Sequence, residues 1–209
     1  MDFNKERHDN ALRRLLVAVI LLALAASCIS CTSPGYEKFT LREGISHFSF
    51  EYPENYEERL VRTESEYTDV KFQHYLSGDF ISGDDRTDSL LGVSISEEGR
   101  LDIWASAEIA LEWTVSYLRE AYEDFQVLKR SEININGVKG EMLVCSYTPT
   151  EAPEDYDPFW WGPSLLLRRH VYFDYDGFIW EIWMVSHENR AEADEPVWEH
   201  LIGTFRILD

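Results

Sequence analysis

Cysteine and basic residues are scarce in this chain, and each scarcity excludes a class of protein. Three of the 209 residues are cysteine, too few for a fold held together by a framework of disulfides. Nineteen lysines and arginines stand against 39 aspartates and glutamates, which gives a formal net charge of −20. Because a strongly acidic surface repels phosphate backbones, we expect no nucleic-acid partner.

The sequence also lacks the short motifs of common active sites. It contains no glycine-rich phosphate loop, no Gly-x-Ser-x-Gly and no His-Glu-x-x-His. No two of its histidines have the two- or four-residue spacing that is typical of zinc sites. We therefore expect no catalytic residue, no cofactor and no metal site, and we predict that the protein is not an enzyme.

An apolar segment near the N-terminus follows a basic stretch. Residues 15–26 carry no charge and are fewer than the ~20 residues that cross a bilayer, which is typical of a secretory signal. The run from Leu24 to Cys28 reads Leu-Ala-Ala-Ser-Cys and resembles the bacterial lipobox, whose cysteine receives acyl chains such as palmitate. We predict a lipoprotein signal peptide over residues 1–27, then a lipidated Cys28 and a short linker over residues 28–35. An ordinary cleaved signal and an uncleaved signal anchor are the alternatives.

Residues 36–209 are of a length that suits a single domain. From Cys28 onward the chain has 15 basic and 36 acidic residues, a net charge of −21. An anionic leaflet repels such a domain, so we expect the lipid to hold it at the extracytoplasmic face of the cell membrane. The predicted partners are the membrane, through the anchor, and another protein of the envelope.

The periodicity of apolar residues predicts the elements of this domain. Phe48, Phe50 and Tyr52 alternate with polar residues, as in a half-buried strand. One long helix is predicted from Ser106, as its N-cap, to about Asp124, because apolar residues recur there at helical spacing. Further strands are predicted over residues 58–63, 68–75 and 90–95, and a short helix over residues 194–203.

Two dipeptides predict tight hairpins. Asn136-Gly137 and Asp176-Gly177 each lie between two strand-like runs. Both residues of such a turn need positive φ, which these residue types tolerate well. Since hairpins build antiparallel sheets, we predict an α+β fold with a largely antiparallel β-sheet flanked by helices.

Together these elements resemble the PsbP-like domain. The features that carry the likeness are Phe-x-Phe-x-Tyr-Pro at residues 48–53, the long helix, the two hairpins and the closing Phe205-Arg206-Ile207. The family includes the extrinsic protein of photosystem II, the bacterial lipoprotein DcrB and a Ran-binding nuclear import factor. The resemblance implies an α-β-α sandwich that works as a binding or assembly factor and not as a catalyst. Residues 149–164 look like an insertion in the family pattern.

Two features that suggest chemistry are expected to be structural. Cys145 lies in an apolar strand-like run without an activating base near it in the sequence, so we expect a core thiol. Asp174-Tyr175-Asp176-Gly177 is similar to the start of a calcium loop, but the Asp-Gly turn accounts for it.

A small-ligand or divalent-cation module, with weak calcium binding by acidic loops, is the alternative function. The acidic residues concerned are Asp84, Asp85, Asp88, Glu151, Glu154, Asp155 and Asp157.

An aromatic run in a proline-rich segment is the candidate for partner contact. Residues 149–163 hold four of the seven prolines and the run Phe159-Trp160-Trp161. Three large aromatic side chains are costly to expose, so they either fold back onto the sheet or cover a partner. We take Phe159, Trp160 and Trp161 as the candidate partner-binding residues. The other tryptophans lie in periodic elements and are expected in the core: Trp104, Trp113, Trp180, Trp183 and Trp198.

Overall fold

The computed structural model describes residues 35–64, 66–75, 87–98, 105–149 and 164–208. Tyr36–Asp209 forms one compact unit. Within the described ranges there are ten strands and two helices. They are β1 (Tyr36–Glu43), β2 (Ser46–Pro53), β3 (Tyr56–Glu64), β4 (Tyr67–Tyr75), β5 (Thr87–Glu97), α1 (Ala107–Ala121), β6 (Gln126–Ile135), β7 (Val138–Tyr147), β8 (Leu166–Tyr175), β9 (Phe178–His187), α2 (Ala191–Thr204) and β10 (Arg206–Ile207).

The strands form two antiparallel sheets. The order is β3-β4-β5-β9-β8-β7-β6 in the seven-stranded sheet and β1-β2-β10 in the small sheet. The large sheet consists of two meanders, β3 to β5 and β6 to β9, which are joined where β5 pairs with β9. The strands β5, β9 and β8 therefore lie near the centre of the large sheet.

The two faces of the large sheet are covered by different layers. Helix α1 packs on β7 and β8, whereas α2 packs on β2 and β9 on the other face. Alternate residues of β9 accordingly belong to two apolar clusters, one under α1 and one between the sheets. Ile179, Trp183 and Val185 join the first, and Trp180, Ile182 and Met184 join the second. The result is an α+β fold with helices on both sides of an antiparallel sheet, which confirms the predicted fold class.

Aromatic rings fill the space between the two sheets. Phe48 and Phe50 of β2 are fully buried, as their alternation predicts. The ring of Phe48 stacks on Phe205 and meets Trp180 edge-on, with centroids 5.8 Å apart in both cases. Burial of each phenylalanine contributes about 1.5–3 kcal/mol to stability. These contacts hold the small sheet and the end of α2 against β9.

Both predicted hairpin turns have the predicted backbone. The φ angles are 53° at Asn136 and 87° at Gly137, and 53° at Asp176 and 77° at Gly177. Two-residue turns of this kind match the twist of the flanking strands. In each hairpin the residues directly flanking the turn are paired with each other.

Helix α1 begins where predicted and ends three residues earlier. The Ser106 hydroxyl accepts a hydrogen bond from the Ile109 backbone N–H at 3.2 Å, so Ser106 is the N-cap. Tyr122 leaves the helix with an extended backbone, and Asp124 accepts a hydrogen bond from the Thr148 N–H at 2.9 Å. This contact ties the chain after the helix to the end of β7, which helical spacing alone does not reveal.

Two polar groups fix the start of α2, which extends the predicted segment by almost one turn. The buried guanidinium of Arg169 on β8 donates to Glu195 at 2.7 Å. Asp194 is fully buried and accepts hydrogen bonds from Ser89 at 2.6 Å and Arg190 at 3.1 Å. Because buried charges are stable only when paired, these contacts position the helix against β5 and β8.

Candidate functional site

The residues predicted for lipidation and partner contact lie outside the described part of the chain. Cys28 and the run Phe159-Trp160-Trp161 both fall there, so their roles stay predictions. Trp104 and six of the seven acidic loop residues lie outside it as well, whereas Asp88 belongs to β5 and not to a loop. Within the described ranges no helix is long and apolar enough to cross a membrane.

Cys145 lies in the core, as expected. It is a free cysteine on β7, fully buried in the cluster beneath α1. Burial raises the pKa of the Cys145 thiol to about 11, although the charge of Arg168 acts in the opposite direction. Because a thiol that stays protonated at neutral pH is a poor nucleophile, the geometry favours packing over catalysis here.

An exposed aromatic stripe on α1 is the described surface most typical of a docking site. Ile109, Trp113 and Tyr117 recur every four residues and so lie along one side of the helix. Their exposed fractions are 45%, 38% and 52%. The rings of Trp113 and Tyr117 are stacked, with centroids 5.3 Å apart. We refer to these three residues as the α1 stripe, since adjacent exposed apolar side chains mark interaction surfaces.

The exposure of Trp113 corrects the expectation that it lies in the core. Leu111, Val115 and Leu118 are buried against the sheet. Trp113 comes two residues after Leu111, and at 3.6 residues per turn this places it off the buried side of the helix. The prediction was wrong because it placed Trp113 in the core for lying in a periodic element, without regard to its position relative to the buried side of the helix. Trp180, Trp183 and Trp198 are buried, as expected.

The α1 stripe is turned away from the β6 edge of the sheet. Glu112 forms an ion pair with Arg130 of β6, and Arg130 also binds Glu141 of β7 at 2.7 Å. Glu112 and the stripe lie on opposite flanks of the buried side of the helix. The stripe therefore faces the half of the sheet that contains β9 and β5.

A buried polar network lies beneath α1. Glu181 on β9 accepts hydrogen bonds from His170 Nδ1 at 2.6 Å and from the Tyr172 hydroxyl at 2.8 Å. The Thr114 hydroxyl of α1 lies 2.9 Å from the same Tyr172 oxygen and donates to it, because the tyrosine proton points to Glu181. The network thus joins the helix to two central strands.

The environment sets the charges of this network. Burial, together with the positive charge of Arg168, lowers the pKa of His170, so its ring is neutral at neutral pH. Burial alone would raise the pKa of Glu181, but hydrogen bonds from His170 and Tyr172 and the positive charge of Arg168 lower it. Glu181 is therefore an ionised carboxylate inside the core.

A carboxylate holds many catalytic histidines in place, and Glu181 binds His170 Nδ1 in the same way. The surroundings of the second ring nitrogen, Nε2, are therefore of interest. In catalysis this nitrogen faces a nucleophile or substrate. His170 Nε2 is buried with no hydrogen-bond partner. The pair therefore lies inside the core, where it links β8 to β9.

His200 and Asp174 make structural contacts. His200 Nε2 lies 2.8 Å from Glu51, and its ring stacks on Tyr36. Asp174 accepts a hydrogen bond from the first backbone N–H of α1 at 2.7 Å, where the helix dipole favours a negative charge. Among the described residues, no group of three or more His, Cys, Asp or Glu could hold a metal ion.

A small cavity lies where the β8–β9 turn meets the small sheet. Its volume is about 300 Å³, near the lower limit for ligand pockets. Tyr175, Phe178 and Trp180 contribute aromatic walls, and His47 and Asp176 contribute polar groups. We refer to this cavity as the hairpin-end pocket.

Sequence reasoning missed the α1 stripe and the buried network, although both left a signal. The four-residue spacing of Ile109, Trp113 and Tyr117 is visible in the sequence. The Asp-Gly turn also fixes the register of the hairpin, and counting outward from it pairs Tyr172 with Glu181. The pocket left no such signal, because its walls come from distant segments.

Comparison with known proteins places this architecture among solved structures. No protein-family model and no curated protein matches the sequence. Cyanobacterial PsbP (CyanoP) from Synechocystis sp. PCC 6803 is 15% identical, with 86% of this chain and 98% of that chain covered and a TM-score of 0.51. The Ran-binding protein Mog1p of Saccharomyces cerevisiae is 12% identical, with 85% and 97% covered and a TM-score of 0.51. LpqN of Mycobacterium tuberculosis, involved in cell envelope biogenesis, is 11% identical, with 83% and 92% covered and a TM-score of 0.52.

These matches define the fold. The chain has a PsbP-like fold, as the sequence features implied. Identities this low show the fold alone, so the function has to be argued from the residues of this chain.

Proposed function

We propose that this chain is a non-enzymatic, lipid-anchored binding module on the extracytoplasmic face of a cell membrane, where it docks another envelope protein. The observation that carries the proposal is the α1 stripe, with its stacked Trp113 and Tyr117. Aromatic side chains are enriched at protein interfaces, where their burial supplies much of the binding energy. The high pKa of Cys145 and the enclosed His170 support a role other than catalysis.

The chemistry of the stripe indicates the kind of partner. Its rings offer an apolar centre, and the exposed Glu120 lies one turn beyond Tyr117. The surrounding chain is strongly acidic, so a partner with an apolar patch and a basic rim is complementary. Of the proteins that share this fold, one binds Ran and another is involved in cell envelope biogenesis, which is in keeping with a binding module.

The anchor is tested by substitution of its cysteine. Strand β1 begins eight residues after Cys28, so the linker spans at most about 28 Å and the domain stays near the lipid surface. We expect Cys28→Ala to remove the acyl mass and release the protein from the membrane fraction, as measured by mass spectrometry and fractionation. Cys31→Ala is the matched control and should retain both. Acylation that persisted in Cys28→Ala would contradict the anchor.

The docking surface is tested by site-specific photo-cross-linking in membranes of the native cells. A photoreactive amino acid at Ile109 should give an adduct of one defined mass, whereas the same group at Arg119, exposed on the other flank of α1, should not. Trp113→Ser together with Tyr117→Ser should reduce the Ile109 adduct about tenfold or more, because truncation of a residue at the hot spot of an interface costs about 2 kcal/mol or more and tryptophan and tyrosine are enriched there. The melting temperature should change little, since both rings are exposed.

Two outcomes would contradict docking on α1. One is equal cross-linking from Ile109 and Arg119, and the other is an Ile109 adduct that persists in the double variant. The predicted contact at Phe159, Trp160 and Trp161 is tested in the same assay by replacing all three with alanine. Loss of the adduct in that variant alone would move the docking site from α1 to the aromatic run.

A further inference from the structure

We propose that the hairpin-end pocket binds a small organic ammonium ion. Its walls include the rings of Tyr175, Phe178 and Trp180. The faces of aromatic rings attract cations, and several rings around one space recognise ammonium groups. The rings of Tyr175 and Trp180 lie 6.4 Å apart at an angle of 76°. Trp180 is buried and stacks on Phe173, so its faces are not open to a ligand. The ring surface open to a cation is that of Tyr175, which is 38% exposed, and of its cross-strand partner Phe178, which is partly exposed.

A carboxylate supplies the opposite charge. Asp176 lines the pocket from the tip of the β8–β9 turn and is exposed. In the described part of the chain its side chain makes no hydrogen bond or ion pair. Arg206, which precedes Ile207 of the pocket wall, donates to the carbonyls of Gly203 at 2.9 Å and Phe205 at 2.6 Å.

The net charge of the whole chain favours a positively charged ligand. With a net charge of −20, the protein attracts cations and repels anions. A carboxylate or phosphate ligand would also face Asp176 directly. An ammonium ion is favoured by both the ring faces and the carboxylate.

The rest of the wall limits the size of the ligand. Ile45, Ile207 and Leu208 line the opposite side with aliphatic groups. The Leu208 N–H donates to the His47 carbonyl at 2.8 Å, which fixes this wall to β2. A volume of about 300 Å³ admits an amine with a short hydrocarbon chain and excludes a peptide or a lipid. The site lies apart from the α1 stripe, so it is a function additional to docking.

Choline and its neutral isostere 3,3-dimethylbutan-1-ol test the proposal on the full chain in neutral detergent. They have nearly the same shape and differ in charge. Isothermal titration should give a Kd of about 1 mM or tighter for choline. Methyl NMR should show shifts at Ile45 and Ile207, which report the site directly. The neutral alcohol should bind about tenfold more weakly or worse, because it lacks the cation–π and ionic attraction.

Asp176→Asn removes the charge of the carboxylate while it keeps the structure of the turn. Asparagine tolerates the positive φ of this position and Asn-Gly is a favoured turn, so the fold should be kept. Choline affinity should fall about tenfold, while Glu132→Gln, at an exposed site on β6, should leave it unchanged. Equal binding of choline and the alcohol, unchanged affinity in Asp176→Asn, or no shift at Ile45 and Ile207 would each overturn the proposal. Failure of the docking assay would leave it intact, since the sites are separate.

Discussion

Replacing Glu181 with alanine is expected to lower the free energy of unfolding by about 3–5 kcal/mol, because it removes one partner from a buried charged network. The substitution leaves the donors of His170 and Tyr172 without an acceptor and the charge of Arg168 without its buried counterpart. Urea denaturation at neutral pH measures the loss. Glu181→Gln keeps an acceptor oxygen and should lose less.

The control for this substitution is Glu132→Ala on the exposed side of β6. It removes the same functional group from a strand surface, where changes are usually within about 0.5 kcal/mol. A loss in Glu181→Ala no larger than in the control would contradict a stabilising role for the network.

The pH dependence of the same pair of proteins gives a second readout. The pKa of Glu181 is lowered in the folded state, so its contribution is present above the ordinary value of 4.5 and is lost as the pH falls below it. The difference in stability between wild type and Glu181→Ala should therefore shrink in acid. The pKa of His170 is also lowered from 6.5, and the unfolded chain takes up this proton first. Both proteins should consequently lose stability below about pH 6.5.

Gly92→Ala is expected to cost about 3 kcal/mol, because the central strand β5 has no room for a side chain at this position. A Cβ atom there would lie 2.5 Å from the Val70 carbonyl oxygen and 2.6 Å from the Trp183 ring. Trp183 is buried directly opposite Gly92 in the register of β5 and β9, and its indole N–H donates to Ser94 at 3.2 Å. The ring therefore cannot move without breaking that bond. Thermal and urea unfolding measure the effect.

A matched glycine provides the control. Gly203 lies in α2, and a Cβ atom there would meet nothing within 4 Å. Gly203→Ala should be neutral or stabilise by about 0.5 kcal/mol, since alanine is the better helix former. Similar effects at the two positions would show that the clash at Gly92 relaxes freely.

Much of the fold was predictable because it depends on local patterns. Phe48 and Phe50 alternate with polar residues, and both are buried. Asn136 and Asp176 precede glycines, and both adopt positive φ. Where a prediction failed, a distant contact was responsible: Asp124 bonds to Thr148, so α1 ends before it.

The candidate sites were less predictable than the fold. Trp113 was expected in the core because it lies in a periodic element, yet its place relative to Leu111 leaves it exposed. The cross-strand pair of Tyr172 and Glu181 follows from the turn, but Thr114 joins it only because α1 crosses β8. The spacing of residues along the chain does not show where a helix crosses a strand.

The sequence by itself determined most of the strands, the two turns, the two helices and the strongly acidic character of the domain, because each depends on neighbouring residues or on composition. Tertiary structure decided which side of α1 is exposed and how Glu181 is held ionised in the core. It also decided which segments meet in the hairpin-end pocket, where Ile45, Asp176 and Ile207 come together from three parts of the chain. The physical reason is that burial and electrostatic environment depend on contacts between segments far apart in sequence, and these exist only once the sheets have packed.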